Sequence, residues 1–424
     1  MKIKQLYDTF IESKGISTDT RKIKEDSIFF ALKGENFNGN LFAAEALKKG
    51  ACKVIVDEPV DIADTSKIFQ VDNVLKTLQD LARFHRRKLK TPIIAIAGSN
   101  GKTTTKKLCQ AFFETTFKTF ATRRNLNNHI GVPLSLLQLD NSQEIALIEL
   151  GANHQQETTE LCEICEPDFG YVTNFGKDHL EGFGGVEGVI KANSELYEYL
   201  KQVGGKVFVD VKDETQYQQA KGGDLILFNQ NEDIIKFVSA DPYLNISIGE
   251  ENVTTNLVGD YNFQNIAAAF SMAHYFGISH ELIARALRQF SPEENRSQFI
   301  ETDKNQIILD AYNANPSSME LAILNFAQLK AQHKSVILGD MLELGESSFD
   351  EHLATIRQIQ EHDFDHLFLV GDNFAKHQSS TDNLCFFKNF KELKKHIENQ
   401  PLKNQLILIK GSRGIALERS LDFL

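Results

Sequence analysis

The sequence predicts an α/β protein of three domains, and three observations carry that prediction. Apolar runs of strand length recur without polar alternation. Helical runs separate them. The pattern changes character twice, at Thr91-Pro92 and near Asn295. Strands that are apolar on both faces belong to parallel sheets covered by helices.

The first unit, residues 1–90, opens on MKIKQLYDTFIESKG, a mixed amphipathic run. It has neither the apolar centre nor the small-residue cleavage site of a signal peptide. SIFFAL (27–32) reads as a strand, followed by the turn Lys33-Gly34-Glu35-Asn36 and a helix, LFAAEALKKG, stopped by Gly50. CKVIVD (52–57) is the next strand. A helix from about Asp72 closes the unit, and its basic end, RFHRRKLK, reads as a solvated face leading to a linker. The second unit, residues 91–297, begins PIIAIAGSNGKTTTKKLCQAFF: a strand, a glycine-rich turn, a helix. EIALIELG (144–151), FGYVTNFG (169–176) and KVFVDV (206–211) are its further strands. The third unit, residues 298–424, repeats the pattern with QIILDAY, SVILGDM, HLFLVGD and QLILIKG.

Composition narrows the function. With 42% hydrophobic and 25% charged residues the chain is an ordinary globular protein, and a net charge of -12 argues against a nucleic-acid binder. No run approaches the roughly 20 apolar residues of a membrane span, so the expected compartment is the cytoplasm. Five cysteines, an odd number in a long chain, do not suggest a disulfide framework. Cys162 and Cys165 form a C-x-x-C without a second ligand pair, and LCEIC reads as a helix with apolar positions at Leu161, Ile164 and Cys165.

The sharpest chemical signal is Gly98-Ser99-Asn100-Gly101-Lys102-Thr103-Thr104, between a strand and a helix. Glycines let the backbone curl so that its N–H groups point at phosphate oxygens, and the helix adds its positive end. Lys102 supplies a compact charge for the terminal phosphates, and Thr103 or Thr104 a hydroxyl for Mg²⁺. This is the short G-x-x-G-K-T-T form, since the longer motif would place a glycine at Ile96. Glu149 ends a strand and His179 follows another, where ligands of parallel sheets bind. A carboxylate and an imidazole there could share a Mg²⁺ with the phosphates; each alone would more often be a surface or capping residue, and their place beside the phosphate loop makes the functional reading about even.

These segments together resemble the Mur ligases, which add amino acids to a UDP-linked peptidoglycan precursor. GSNGKTTT, RNLNNHIGVPLSLL (123–137), IELGANH (148–154) and HLEGFG (179–184) carry the resemblance of the central unit. GDYNFQNIAAA (259–269) and NRSQ (295–298) extend it. DAYNANPSSM, LGDMLELGE and IKGSRGIALE are similar to the branch that adds the dipeptide D-alanyl-D-alanine, and STDTRKIKEDSIFFALKGENFNGNLFAAEALKKGA to that family's UDP-sugar domain. The resemblance implies an N-terminal UDP-substrate domain, a central ATPase domain and a C-terminal Rossmann-like domain. It implies phosphorylation of the terminal carboxylate of UDP-MurNAc-tripeptide by ATP, and attack on the acyl phosphate by the amine of D-Ala-D-Ala.

The resemblance also implies site residues. Lys102, Glu149 and His179 would be catalytic, with Thr103, Glu149 and His179 on Mg²⁺. Gly98 to Thr104, Asn262, Asn265, Arg296, Asp310 and Tyr312 would hold ATP. Asp19, Thr20, Arg21, Asn38 and Gly39 would meet the uridine diphosphate; Asn125, Asn127 and Asn153 would also bind substrate. Asn313, Asn315 and Pro316 would lie near the incoming dipeptide. The family implies a monomer. The sister ligase that adds the third stem residue is disfavoured by DAYNANP, and a non-catalytic relative by the intact loop, Glu149, His179 and Arg296.

One position departs from the family. Its K-x-x-[IL]-[FY] pattern carries a lysine whose carbamate helps hold a second Mg²⁺. Here the run is KANSELYEYL, which puts Asn193 at that place. Lys191 lies two residues earlier, roughly 200° around the helix. The expectation is no carbamylated lysine, with a neutral carbonyl of Asn193 in its place and a second metal site that is weaker or differently made.

Overall fold

The amphipathic start of the chain forms a helix, Ile3–Glu12, that buries Leu6 and Phe10. It packs on the helix Val74–Arg86 beside a small parallel sheet ordered 16–17, 28–30, 53–56, 68–70. The structure is a computed structural model that describes residues 3–229, 234–378 and 383–424.

The basic end of Val74–Arg86 corrects the reading as a solvated face. His85 and Arg86 are buried. Arg86 donates to the carbonyls of Thr91, Cys165 and Glu166 and pairs with Asp168 at 2.7 Å. His85 Nε2 lies 2.8 Å from Leu139 O. Burial holds the His85 ring below its ordinary pKa. A guanidinium with five fixed donors can staple several carbonyls at once, so this segment locks the first unit onto the second.

The central sheet is parallel throughout. Its order is Asp224–Phe228, Lys206–Asp210, Phe169–Val172, Ile93–Ala97, Ile145–Glu149, Thr119–Ala121. Ile93–Ala97 and Ile145–Glu149 are buried at every position, as fully covered strands must be. The helix Lys102–Phe113 covers one face with Asn262–Tyr275; Glu157–Cys165 and Val186–Val203 cover the other. Leu161, Cys162, Ile164 and Cys165 are buried in Glu157–Cys165, and burial pushes the Cys165 thiol up to about 12. A three-stranded antiparallel sheet follows at Ile235–Ala240, Tyr243–Ile248 and Glu251–Val258. Its middle strand alternates half-buried and buried residues, the signature of a sheet with one wet face.

The last sheet runs Gln298–Glu301, Gln306–Asp310, Leu406–Lys410, Lys334–Gly339, His366–Val370, Leu384–Phe387, with only the first strand antiparallel. No helix among the described residues is long and apolar enough to cross a membrane.

Candidate active site

The carboxyl ends of the two six-stranded sheets face one cavity of about 360 Å³. From the central sheet come the loop after Ile93–Ala97, Glu149, and Thr173 with Asn174. From the C-terminal sheet come Asp310 and Lys410. Most of the sequence-derived candidates line it: Ser99 to Thr104, Asn125, Asn127, Glu149, Asn153, His179, Asn262, Asn265, Arg296, Asp310, Tyr312, Asn313 and Asn315.

The loop geometry depends on two glycines. Gly98 has φ +115°, and a Cβ there would meet Thr173 Oγ1 at 2.3 Å; Gly101 has φ +84°, and its Cβ would meet Asn265 Oδ1 at 2.3 Å. Only glycine tolerates both the left-handed backbone and the close approach. The loop is pinned by Ser99 N to Asn174 O at 3.0 Å and Asn100 N to Asn174 Oδ1 at 3.1 Å. Ser99 Oγ donates to Asp178. Lys102 Nζ donates to the loop carbonyls of Gly98 and Ser99. The helix Lys102–Phe113 is N-capped by Gly101, no side chain caps it, and residues 101–104 at its start line the cavity.

Glu149 is buried, with Oε1 accepting from Thr103 Oγ1 at 3.1 Å and Asn127 Nδ2 at 2.9 Å. Its other oxygen pairs with Lys106 at 2.8 Å, both side chains almost wholly buried. Burial alone would push this carboxyl up. The field and hydrogen bond of Lys106, with Lys102 and Arg296, outweigh it and hold the group below its ordinary value. Lys106 was not singled out from the sequence. Its clue was the i, i+4 spacing from Lys102, which places a second cation one turn further along the helix.

On the opposite wall, Asp310 accepts from Ser297 N at 3.1 Å and pairs with buried Lys410. Lys410, also missed, sits on the adjacent strand in the IKGSRG segment. The Arg296 guanidinium stacks on the Tyr312 ring at 3.7 Å, with Arg413 at 5.9 Å. Arg296 Nε is buried without a hydrogen-bond partner, so this wall holds an unspent donor. Asn262 and Asn265 are committed to each other and to Val258 O and Thr105.

Other candidates fall elsewhere. Asn315 N-caps the helix Pro316–Gln328 in a reciprocal capping box, and its amide touches Asn100 at 2.9 Å across the cavity. Pro316 is the buried first residue of that helix and does not line the cavity; nor does Gly98. The five N-terminal candidates also lie outside it. Asp19 caps the turn Thr20–Lys22 and pairs with Arg21 at 2.9 Å, which holds its carboxyl down to about 2. Asn38 caps Gly39–Phe42 and donates to Glu58 at 2.8 Å. Asn193 corrects the picture of a carbonyl offered to the site. It is buried in Val186–Val203, donates to Val189 O at 3.1 Å, and does not line the cavity, while Lys191 is exposed.

A phosphate loop facing a second sheet edge across one polar cavity defines a phosphate-loop protein that works between two domains. The chain belongs to the Mur ligase family. Three family models match it: the Mur ligase family catalytic domain over residues 12–86, the Mur ligase middle domain over 96–273, and the Mur ligase glutamate ligase domain over 295–413. The UDP-N-acetylmuramoyl-tripeptide–D-alanyl-D-alanine ligase of Bacillus subtilis (strain 168) is 33% identical over 95% of this chain and 91% of its own length. The ligase of the same name from Escherichia coli (strain K12) is 31% identical over 98% and 94%. A crystal structure of MurF from Acinetobacter baumannii matches with a TM-score of 0.86 at 31% identity, covering 96% of this chain and 92% of that one.

Proposed function

We propose that this chain is the ATP-dependent ligase that joins D-alanyl-D-alanine to UDP-MurNAc-tripeptide. A carboxylate resists an amine nucleophile. Transfer of the γ-phosphoryl group of ATP to the peptide carboxylate makes an acyl phosphate with a good leaving group. The dipeptide amine then attacks the acyl carbon, and the tetrahedral intermediate collapses to the amide and phosphate, leaving ADP from the first step.

The observation that carries this reading is the single cavity shared by two sheet edges. One edge presents a phosphate cradle; the other presents Arg296, Asp310, Tyr312 and Asn313. Lys102 and the amide groups of residues 101–103 hold the triphosphate and neutralise charge that develops in transfer. Arg296 stays flat on Tyr312, and its unpaired Nε would meet an acceptor on the nucleotide. Asn313 and Asn315 orient the dipeptide, and positioning supplies much of the rate.

Thr103, Glu149 and His179 would hold Mg²⁺. Their hydroxyl, carboxylate and imidazole donors fit a hard cation that keeps several waters and phosphate oxygens, and all three line the cavity. That ion would neutralise the phosphates and the oxygens of the transferred group. Lys106 already balances Glu149 from within, and Asn193 leaves the second metal position without an anionic protein ligand.

The division at residues 1–90, 91–297 and 298–424 gives the uridine diphosphate, the ATP and the dipeptide a unit each, with Asp19, Thr20, Arg21, Asn38 and Gly39 on the first. The family resemblance favours a monomer. Its dependence on ATP and a nucleotide-linked substrate sets it in the cytoplasm. Phosphate release from purified protein tests the reading. Release with UDP-MurNAc-tripeptide, ATP and D-Ala-D-Ala is expected; release with a diamino acid instead, or none at all, would overturn it.

A further inference from the structure

We infer that Glu343 of the C-terminal unit is a positioning residue for His179, so that the metal ligand is aimed only when the two units are together. The inference rests on the reading of His179 as a metal ligand.

His179 belongs to the central unit by sequence, yet its surroundings are not. Leu180 and Phe183, in the short helix Leu180–Phe183, are buried in the same apolar cluster as Met341, Leu344 and Ile356 of the C-terminal unit. Glu181 N donates to Glu343 O at 3.3 Å, Lys177 N to Ser317 Oγ at 2.8 Å, and Lys177 Nζ pairs with Glu351 at 2.7 Å. The segment 177–183 is therefore gripped from three places on the other unit, and His179 moves with whatever moves them.

Glu343 acts on the ring itself. His179 Nδ1 contacts Glu343 Oε2. The carboxylate therefore occupies the Nδ1 side of the ring and leaves Nε2 as the nitrogen open to a ligand. Among the described residues Nε2 has no hydrogen-bond partner, and the ring lines the cavity. A carboxylate on the far nitrogen of a metal-bound histidine fixes its tautomer and raises its basicity. Stability does not account for the pair, because the Glu343 side chain stays 60% exposed and such pairs contribute little to folding.

The loop that carries Glu343 is built to hold it still. Met341 N donates to His352 Nε2 at 3.1 Å and Leu342 N to Ser412 Oγ at 3.0 Å. Asp340 accepts from Asn373 N and Phe374 N at 2.8 and 2.9 Å. Glu343 itself takes a left-handed backbone, φ +63°, and His179 does so at φ +45°. Two non-glycine residues in that region, meeting at one contact, mark a geometry kept for a purpose other than local comfort.

The test titrates Mn²⁺ into full-length protein saturated with a non-hydrolysable ATP analogue, with bound metal read by electron paramagnetic resonance. Glu343→Ala is expected to weaken Mn²⁺ about tenfold, the usual scale for an outer partner of a metal-bound histidine. Glu343→Gln, which keeps an acceptor oxygen, is expected to recover part of that loss. Glu351→Gln breaks the neighbouring ion pair without touching His179, and less than a twofold change is expected (roughly the scatter of such titrations). Unchanged Mn²⁺ affinity in Glu343→Ala overturns the inference, as does an equal loss in Glu351→Gln, which would mean a generally loosened seam. His179→Ala separates the two layers: if it leaves Mn²⁺ affinity unchanged, the metal-ligand reading falls and this inference with it.

Discussion

The two sheet edges that meet at the cavity follow opposite plans. Apart from the contact of Asn100 with Asn315, the central edge satisfies itself within its own unit: the loop 98–104 bonds to Asn174, and Glu149 finds Thr103, Lys106 and Asn127. The C-terminal edge is assembled from afar. Asp310 takes its partner from Lys410, and Glu343 reaches over to a histidine of the other unit. The first edge is a preformed anion cradle. The second becomes complete only through contacts between strands and between units, which is where a reaction that needs closure can be gated.

The central edge breaks most severely at Lys106. Lys106→Met leaves Glu149 buried and unpaired, which costs about 3–5 kcal/mol; a fall of that size is expected in denaturant unfolding, and a change under 1 kcal/mol would contradict the pairing. Lys102→Ala removes a charge and no fold contact beyond the loop carbonyls. It is expected to lower kcat about 10²- to 10³-fold at near-constant stability, measured by steady-state phosphate release. On the other edge, Tyr312→Ala removes the platform under Arg296; roughly 1–2 kcal/mol, or about a tenfold rise in the KM for ATP, is expected, with little change in KM for the dipeptide.

The smallest effect lies away from the cavity. The Asp19 carboxyl, held by Arg21 at about 2 against an ordinary 3.8, favours the folded state fully above pH 4 or so. That contribution is lost as pH falls through about 2. Arg21→Ala is expected to flatten this acid limb in an unfolding titration, and only slightly, because the pair faces solvent.

The same contrast explains what could be read from the chain. Strand, turn and helix at 93–113 are contiguous, so the phosphate loop was legible in one glance at the sequence. Continuous apolar strands revealed the parallel sheets for the same reason. Asp310 and Tyr312 were legible only through family resemblance. Lys106, Lys410 and Glu343 are not singled out by the sequence because their partners lie 43, 100 and 164 residues away; the local spacing of Lys106 from Lys102 marks a second cation but not the carboxylate it meets. Arg86 misled in the opposite sense: a basic run looks solvated until the carbonyls that receive it are known. Asp19 and Asn38 show a further limit, since capping and ligand binding call on the same side chains.

The acyl phosphate is the centre of the account, and isotope transfer tests it most directly. UDP-MurNAc-tripeptide labelled with ¹⁸O in its terminal carboxylate is incubated with the enzyme, ATP, Mg²⁺ and D-Ala-D-Ala, and the released phosphate is weighed by mass spectrometry. One ¹⁸O in each phosphate formed, matched by loss of one ¹⁸O from the product amide, is the expected result. Unlabelled phosphate alongside full product formation would contradict it.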